Sequence, residues 1–195
     1  MKKQLCSLLA ALALAVGLLP SAARAAENAP SFADVPAAAW YADAVQYVYE
    51  NGLMTGVSES EFAPDSTATR GQIVTILWRL AGSPVVNYAM RYADADEGAW
   101  YGEAVRWAAS TGVVTGYTES SFGPNDAITR EQLAAILYRY IKTQGQGFTG
   151  MWYFPLRYDD AASISDWADE AMHWCVMKGV LNGTGETTLS PQLTA

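Results

Sequence analysis

The chain has 195 residues, with 20 Asp and Glu against 12 Lys and Arg, which gives a net charge of −8. Nucleic acids and anionic lipids are bound through clusters of Lys and Arg, so this balance argues against both as partners. About half of the residues (51%) are apolar, which is enough to bury a core sized for one domain or a short array of repeats.

Residues 1–25 have the pattern of a secretory signal peptide. Two lysines precede an apolar run over 5–19, and the Ala-Arg-Ala at 23–25 is a cleavage site. The run is too short for an easy membrane span, so we expect cleavage near Ala26, export, and no membrane insertion afterwards. Cleavage removes three basic residues and leaves nine against twenty acidic ones, a net charge of −11. Only Cys175 then remains, so an intramolecular disulfide is excluded.

The rest of the chain contains an internal repeat. Residues 32–80 align with 92–140 at a fixed offset of 60, without gaps and with 20 identities in 49 positions. A glycine- and aromatic-rich linker over 141–157 leads to a third copy over 158–195, at an offset of 66 to 67. The third copy stops one position before the counterpart of Thr129, so we expect either a truncated sequence or a short natural terminus.

Each repeat is predicted to form two helices joined by a loop. The first helix carries an apolar stripe that opens on a tryptophan and ends at a glycine suited to a helix C terminus. The three stripes are Trp40, Ala44, Val45, Val48 and Tyr49; Trp100, Ala104, Val105 and Ala108; and Trp167, Ala171, Met172, Cys175 and Val176. A further loop glycine, at Gly56, Gly116 and Gly183, indicates a positive φ or a close backbone approach.

The second helix of repeats one and two begins at the same Thr-Arg pair, Thr69-Arg70 and Thr129-Arg130, and each pair is called a corner below. Thr69 and Gln72 have the spacing of a capping box, and the arrangement returns sixty residues later. A capping box needs no arginine, and a cation in the first turn opposes the helix dipole by about 0.3–1 kcal/mol. The same cost at Arg70 and at Arg130 therefore indicates an anionic ligand. The expected buried faces are Ile73, Ile76, Leu77 and Leu80 in one copy and Leu133, Ile136, Leu137 and Tyr140 in the other.

Together these motifs resemble the S-layer homology domain. They are Phe32-Ala33-Asp34-Val35, Trp40-Tyr41, Gly52 to Gly56, Phe62-Ala63-Pro64 and Thr69-Arg70, with Tyr92-Ala93-Asp94, Trp100-Tyr101, Gly112 to Gly116, Phe122-Gly123-Pro124 and Thr129-Arg130. The resemblance implies an all-α fold in which tandem helix-loop-helix repeats pack as a pseudo-threefold bundle. It also implies an exported protein at the bacterial cell surface, held non-covalently on secondary cell wall polysaccharide, commonly a pyruvylated one, or on a peptidoglycan-linked glycan.

In this family the arginine of a Thr-Arg-Ala-Glu motif meets the pyruvyl carboxylate in a groove between neighbouring repeats. Here Gly71-Gln72 and Glu131-Gln132 stand in place of Ala-Glu. Guanidinium pairs a carboxylate bidentately, and the helix N terminus is expected to add backbone N–H donors. The resulting candidate glycan-binding residues are Arg70, Arg130, Thr69, Thr129, Gln72, Glu131, Trp40, Trp100, Asp34, Asp94, Gly56 and Gly116.

Each candidate also has a structural alternative. The arginines could form salt bridges to Asp34, Asp43, Asp94 or Glu103. The two tryptophans are expected to be mainly core, with one edge in the groove, and the two aspartates could cap the first helix instead of meeting sugar hydroxyls. A turn suffices to explain the glycines. In the linker, Trp152, Tyr153 and Phe154 could stack on sugar or cover exposed core.

No catalytic, cofactor or metal site is expected. His173 lies beside Cys175, but residues two apart on a helix do not face each other, and the thiol falls on the apolar stripe. His and Cys do not cluster as zinc ligands, and the acidic pairs lack EF-hand spacing. The chain is therefore interpreted as a non-enzymatic anchor. The alternatives are the anchoring part of a secreted wall-active enzyme, or a structural, protein-binding helical repeat.

Overall fold

The protein is described here by a computed structural model over residues 32–195, so the expected signal peptide at 1–25 lies outside the described residues. The described part contains five α-helices: α1 (Ala42–Glu50), α2 (Arg70–Leu80), α3 (Gly102–Thr111), α4 (Arg130–Thr143) and α5 (Asp169–Met177). Two short 3-10 helices, Ala161–Ser163 and Asp166–Ala168, precede α5. Over 32–195 the only β-type pairing is two isolated bridges. The predicted all-α fold is confirmed, and none of these helices is long and apolar enough to cross a membrane.

The chain divides into two compact units, of which the first ends at Ser66. In this unit α1 buries Val45 and Val48. The ring of Phe32 lies edge-on to Tyr49, with 5.6 Å between centroids, and 5.4 Å from the ring of Phe62. The first unit therefore has an aromatic centre made by the start of the repeat and its loop.

The second unit runs from Thr67 to Ala195 and pairs helices from neighbouring repeats. Helix α2 packs against α3, and α4 packs against α5. The second helix of one repeat thus packs on the first helix of the next. All four expected core residues of α4 are buried, whereas in α2 Leu80 is only half-buried.

The tryptophans that open the apolar stripes are not core residues. Trp40, Trp100 and Trp167 are 45%, 58% and 55% exposed. Each precedes the first residue of its α-helix, so its side chain does not share the buried face of the helix. The expectation that Trp40 and Trp100 are mainly core is therefore wrong.

Three equivalent residues close a ring of backbone hydrogen bonds inside the second unit. Ile128 N donates to Ala68 O at 3.0 Å, Ala195 N donates to Ile128 O at 2.9 Å, and Ala68 N donates to Ala195 O at 3.2 Å. The three positions are related by the repeat offsets of 60 and 67. The starts of α2 and α4 and the third copy therefore meet around a local threefold arrangement.

Two reasons for the loop glycines are expected from the sequence, a positive φ and a close backbone approach, and at least one of them applies to each glycine. Gly56 has a φ of +81°, whereas Gly116 and Gly183 do not have positive φ. An added Cβ at any of the three would press on the loop backbone and on the ring of Phe32, Tyr92 or Tyr158, at 2.7, 2.5 and 2.7 Å respectively. Close approach is thus the reason common to all three repeats.

Candidate functional site: the arginine corners

The helix N termini at both corners are capped as the sequence predicts. In α2, Gln72 N donates to Thr69 Oγ1 at 3.2 Å, and Thr69 N donates to the Gln72 side chain at 2.8 Å. The box at Thr129 and Gln132 is the same, at 3.3 and 3.2 Å. These threonine and glutamine oxygens are therefore already used by the backbone.

The next amides of each helix bond to the loop of the following repeat. Arg70 N and Gly71 N donate to Asp126 O and Pro124 O at 3.0 and 2.9 Å. At the second corner, the amides of residues 130 and 131 donate in the same way to the carbonyls of residues 193 and 191. The expectation that the helix N terminus offers free N–H groups to a carboxylate is wrong, because the neighbouring loop already accepts them.

The Arg70 guanidinium lies in this loop between two aromatic rings. Its Nε donates to Phe122 O at 2.9 Å and its Nη2 to Thr115 O at 3.3 Å. The guanidinium carbon lies 4.3 Å from the centroid of the Tyr117 ring and 4.9 Å from that of Phe122. Within residues 32–195 the Nη1 group donates to no protein atom, and it is not sealed from solvent. One edge of the arginine therefore stays open for a ligand.

Arg130 occupies the equivalent place in the third repeat. Its Nε donates to Leu189 O at 2.9 Å, and its Nη2 donates to Asn182 O. These two acceptors are the counterparts of Phe122 and Thr115 at an offset of 67. The two corners therefore hold their arginines through the same pair of backbone acceptors.

Both arginines are buried, with 4% of Arg70 and 1% of Arg130 exposed. Their side chains are enclosed by the neighbouring loop and do not project into solvent. The salt-bridge alternative is also wrong for Arg70 with respect to the two acidic residues of the second repeat. Glu103 pairs with Arg106 at 2.8 Å, and Asp94 is held by its own loop.

Burial lowers the pKa of both arginine side chains from its ordinary value. At Arg70 the nearby charge of Arg139 lowers it further, while Asp126 opposes the change. At Arg130, Tyr158 and Asp160 oppose the effect of burial. Because a guanidinium stays protonated in proteins, each corner holds a permanent positive charge with little water around it.

Three equivalent aspartates hold the three loops. Asp34 accepts from the amides of residues 62 and 63, at 2.9 and 2.6 Å. Asp94 accepts from the amides of residues 122 and 123, and Asp160 from those of residues 189 and 190. None of them caps the first helix, whose N-cap has no side-chain hydrogen bond, so that alternative is wrong. Asp94 instead positions the loop that binds Arg70, and sugar contact by these carboxylates stays a prediction.

Glu131, another candidate ligand, is buried and already engaged. Its carboxylate accepts from Ser165 N and Ser165 Oγ, both at 3.0 Å. It thereby fastens the start of the third repeat to α4. At the first corner, the equivalent Gly71 lies against Tyr101, whose ring is 5.2 Å from that of Trp100. Trp100 is thus an exposed ring beside Tyr101, the residue that lies against Gly71 of the first corner.

The linker covers part of the core and leaves one ring free. Phe148 stacks flat on Trp152, with 4.3 Å between centroids, and Trp152 lies 5.1 Å from His173. Tyr153 is 88% exposed. Covering of the core therefore explains Phe148 and Trp152, while sugar stacking by Tyr153 stays a prediction.

On α5, the first helix of the third repeat, His173 and Cys175 contact different groups. His173 Nδ1 lies 2.8 Å from Asp169 O, whereas the buried thiol of Cys175 approaches Ala134 O at 3.9 Å. Burial raises the pKa of Cys175 well above its ordinary value, as expected for a structural thiol. In the part of the chain that the structure describes, no group of three or more His, Cys, Asp and Glu is arranged to hold a metal ion.

Sequence reasoning missed Tyr117 and Asp126 at the first corner. The counterparts of Tyr117 in the other repeats are Val57 and Thr184, so the repeat alignment does not mark this position as a site residue. The carbonyls that hold the arginines were also missed, because every residue carries one. The repeat offset does contain this signal. The carbonyls that bind Arg70 belong to residues 115 and 122, and those that bind Arg130 lie 67 positions later, at residues 182 and 189.

Comparison with known families agrees with this repeated architecture. The model of the S-layer homology domain matches residues 31–74, 91–134 and 157–195. The chain therefore belongs to the S-layer homology domain family, whose members anchor S-layer proteins and cell-wall enzymes to the cell wall.

Individual relatives include both kinds of protein. An endoglucanase from Bacillus sp. (strain KSM-635) is 29% identical over 85% of this chain, and an amylopullulanase from Thermoanaerobacterium thermosulfurigenes is 26% identical over 78%. S-layer protein sap from Bacillus anthracis is 27% identical over 89%. The aligned part makes up 17%, 8% and 20% of these relatives, respectively, so the likeness concerns a small part of each.

Proposed function

We propose that this chain is a non-enzymatic, exported anchoring module that binds an anionic, pyruvylated secondary cell wall polysaccharide through Arg70 and Arg130. The observation that carries the proposal is the state of Arg70. Two loop carbonyls and two rings fix its guanidinium, and its Nη1 edge remains open. A fixed guanidinium pairs with a carboxylate without losing side-chain freedom on binding.

The surroundings favour a saccharide over a bare anion. Trp100 presents an exposed ring beside Tyr101, which lies against Gly71, and Tyr117, which is 48% exposed, lies over the guanidinium. A pyruvyl ketal combines one carboxylate with apolar ring C–H groups, so it can meet the cation and an aromatic face at once. Because the net charge of the protein is strongly negative, the attraction of an anionic saccharide must come from the local charge of the arginine.

Cosedimentation with bacterial walls that carry a pyruvylated polymer tests the proposal. The protein should pellet with untreated walls and stay in solution after mild acid has removed the pyruvate. Arg70→Lys keeps the charge but loses the planar fork, so we expect at least about tenfold weaker binding. Val85→Ala, at an exposed position between the first two repeats, is the control and should bind as the wild type does.

Folding must be checked in the same variants, because Arg70 also satisfies the carbonyls of Thr115 and Phe122. A helical circular dichroism spectrum and an unchanged melting profile at the assay temperature provide that check. Equal pelleting of the wild type with walls that retain pyruvate and walls that lack it would overturn the assignment.

A second candidate is an anchor attached to a wall-active or polysaccharide-degrading enzyme. The observation in its favour is the similarity to an endoglucanase and an amylopullulanase, each many times longer than the aligned part. The anchoring role would be the same, and the gene region that encodes the residues around this sequence distinguishes the two candidates.

A further inference from the structure

Gly123 makes room for the ring of Tyr117 at the Arg70 corner. The ring centroid lies 4.3 Å from the guanidinium carbon of Arg70. A Cβ on Gly123 would lie only 2.5 Å from Tyr117 Cε2 and would also overlap the Asp126 carboxylate, so a larger residue there would displace the ring. The positive φ of Gly123, +69°, does not by itself require glycine, because the equivalent Ser190 has a φ of +51°. Space for the ring is therefore the specific reason for a glycine at this position.

The loop that holds Arg130 carries hydroxyl groups instead of this ring. Thr184 is the counterpart of Tyr117 at the offset of 67. Its Oγ1 lies 2.7 Å from Ser190 Oγ and 3.2 Å from Thr188 Oγ1. Hydroxyl groups offer hydrogen bonds but no apolar ring face. The two corners thus hold their arginines alike and differ in the side chains of the surrounding loop.

The ring of Tyr117 borders the open edge of Arg70. The residue is 48% exposed, although its ring lies over the guanidinium and against Gly123. The Nη1 nitrogen, which donates to no atom of the described chain, is bonded to the carbon that lies 4.3 Å from the ring centroid. A carboxylate paired with Nη1 can therefore bring the groups attached to it within van der Waals reach of the ring.

A pyruvyl ketal fits this combination through a group that other sugar acids lack. Its carboxylate and a methyl group are bonded to the same carbon, so the methyl group lies beside whatever binds the carboxylate. A hexuronic acid has the carboxylate without the methyl group. Burial of one methyl group on an aromatic ring favours binding by about fourfold. Contact between the ring and the methyl group would thus distinguish a ketal from a uronate.

We propose that Tyr117 is the residue that makes the Arg70 corner selective for a pyruvyl ketal over other sugar carboxylates. The assignment rests on the proposed function, in which Arg70 binds the carboxylate. The exposed part of the ring contacts the ketal methyl group while Nη1 pairs with the carboxylate. The Arg130 corner, where Thr184 takes the place of the tyrosine, binds a carboxylated sugar without this preference. The first corner therefore selects the pyruvylated unit, and the second adds affinity for the polymer.

Isothermal titration of the full chain tests the assignment with two synthetic methyl hexosides. One carries a pyruvyl ketal, and the other carries the matching glyoxylate acetal, which has the same charge and a hydrogen in place of the methyl group. The wild type should bind the ketal about fourfold more tightly at the Arg70 corner. Tyr117→Thr should lose this preference by weakening the binding of the ketal alone, whereas Tyr117→Phe should keep it. Val57→Thr, at the equivalent and exposed position of the first repeat, is the matched control and should bind as the wild type does.

The pattern of losses distinguishes selection of the ligand from support of the arginine. A parallel loss of both ligands in Tyr117→Thr would mean that the ring only holds Arg70 in place, and would overturn the assignment. Equal wild-type affinity for the two ligands, or a preference that survives in Tyr117→Thr, would also overturn it while carboxylate binding stands. A wild-type protein that binds neither ligand would overturn the proposed function itself.

Melting curves without ligand verify that each variant is folded. Tyr117→Phe keeps the ring and removes only the hydroxyl group, so it remains informative if the threonine variant is destabilised. Loss of the preference for the ketal in a folded Tyr117→Phe would overturn the assignment, because the hydroxyl group and not the ring would then select the ligand.

Discussion

The corner depends on properties that only arginine supplies. A guanidinium is planar and can donate from Nε and Nη2 to two carbonyls while its faces lie against aromatic rings, as Arg70 does with Phe122 and Tyr117. Lysine has a single charged centre and cannot reproduce this. The arginine thereby serves the fold through two donors and leaves the third nitrogen for a ligand. Under the proposed function, ligand binding and loop packing would be combined in one side chain.

Asp94 is the residue through which the second-repeat loop should respond to pH. Burial raises its pKa, but hydrogen bonds from Phe122 N, Gly123 N and Ser121 Oγ outweigh this and lower the pKa below 3.8. A lowered folded-state pKa means that its contribution to stability is complete above the pKa of the unfolded chain, about 4. The contribution is then lost as the pH falls through the folded-state value. Asp94→Asn should lower the melting temperature by a few degrees at pH 7 and by less at pH 3.

Melting curves between pH 3 and pH 7 provide the measurement. Asp159→Asn is the matched control, because Asp159 is exposed and its carboxylate accepts no hydrogen bond in the described structure. The control should follow the wild type at every pH. A constant difference between Asp94→Asn and the wild type across this range would contradict the assigned role of the carboxylate.

At the scale of the elements, the sequence predicted what is local and missed what is not. The capping boxes place the starts of α2 and α4 at Arg70 and Arg130, as observed, because the signal lies within four residues. The pairing of α2 with α3 depends on where a helix lies relative to the next repeat, and no local pattern contains that information. The prediction that Trp100 lies mainly in the core is wrong for a similar reason, since helical spacing cannot tell whether a residue lies before the first turn.

The close approach at the loop glycines gives the element-scale prediction. A Cβ at Gly116 would lie 2.5 Å from Thr118 O and from Tyr92 Cε1, and closer still to Ser121 O. Two of these neighbours are backbone atoms that cannot rotate away, so Gly116→Ala should lower the free energy of unfolding by about 1–3 kcal/mol. Urea denaturation followed by circular dichroism measures this. Gly98→Ala, whose nearest neighbour would be 3.5 Å away, should remain within about 0.5 kcal/mol of the wild type.

For the second unit as a whole, the arginine corners and the ring of three hydrogen bonds form a continuous chain of contacts. Arg70 ties the first repeat to the second, and Arg130 ties the second to the third. Ala68, Ile128 and Ala195 then close the connection between all three. A unit connected in this way should open in one step, because the loss of any corner removes support from the others.

The thiol of Cys175 can report whether the unit opens as a whole, since it is buried and is the only cysteine in residues 32–195. Arg70→Met and Arg130→Met each remove the donor to two loop carbonyls, of which Phe122 O and Leu189 O are buried, and this should cost about 1–3 kcal/mol. If opening is cooperative, both variants should accelerate labelling of Cys175 by a thiol reagent, about tenfold for each 1.4 kcal/mol of lost stability. Arg157→Met, at an exposed position, is the control and should label at the wild-type rate. Faster labelling in Arg130→Met alone, at equal loss of stability in Arg70→Met, would mean that the third repeat opens separately from the rest of the unit.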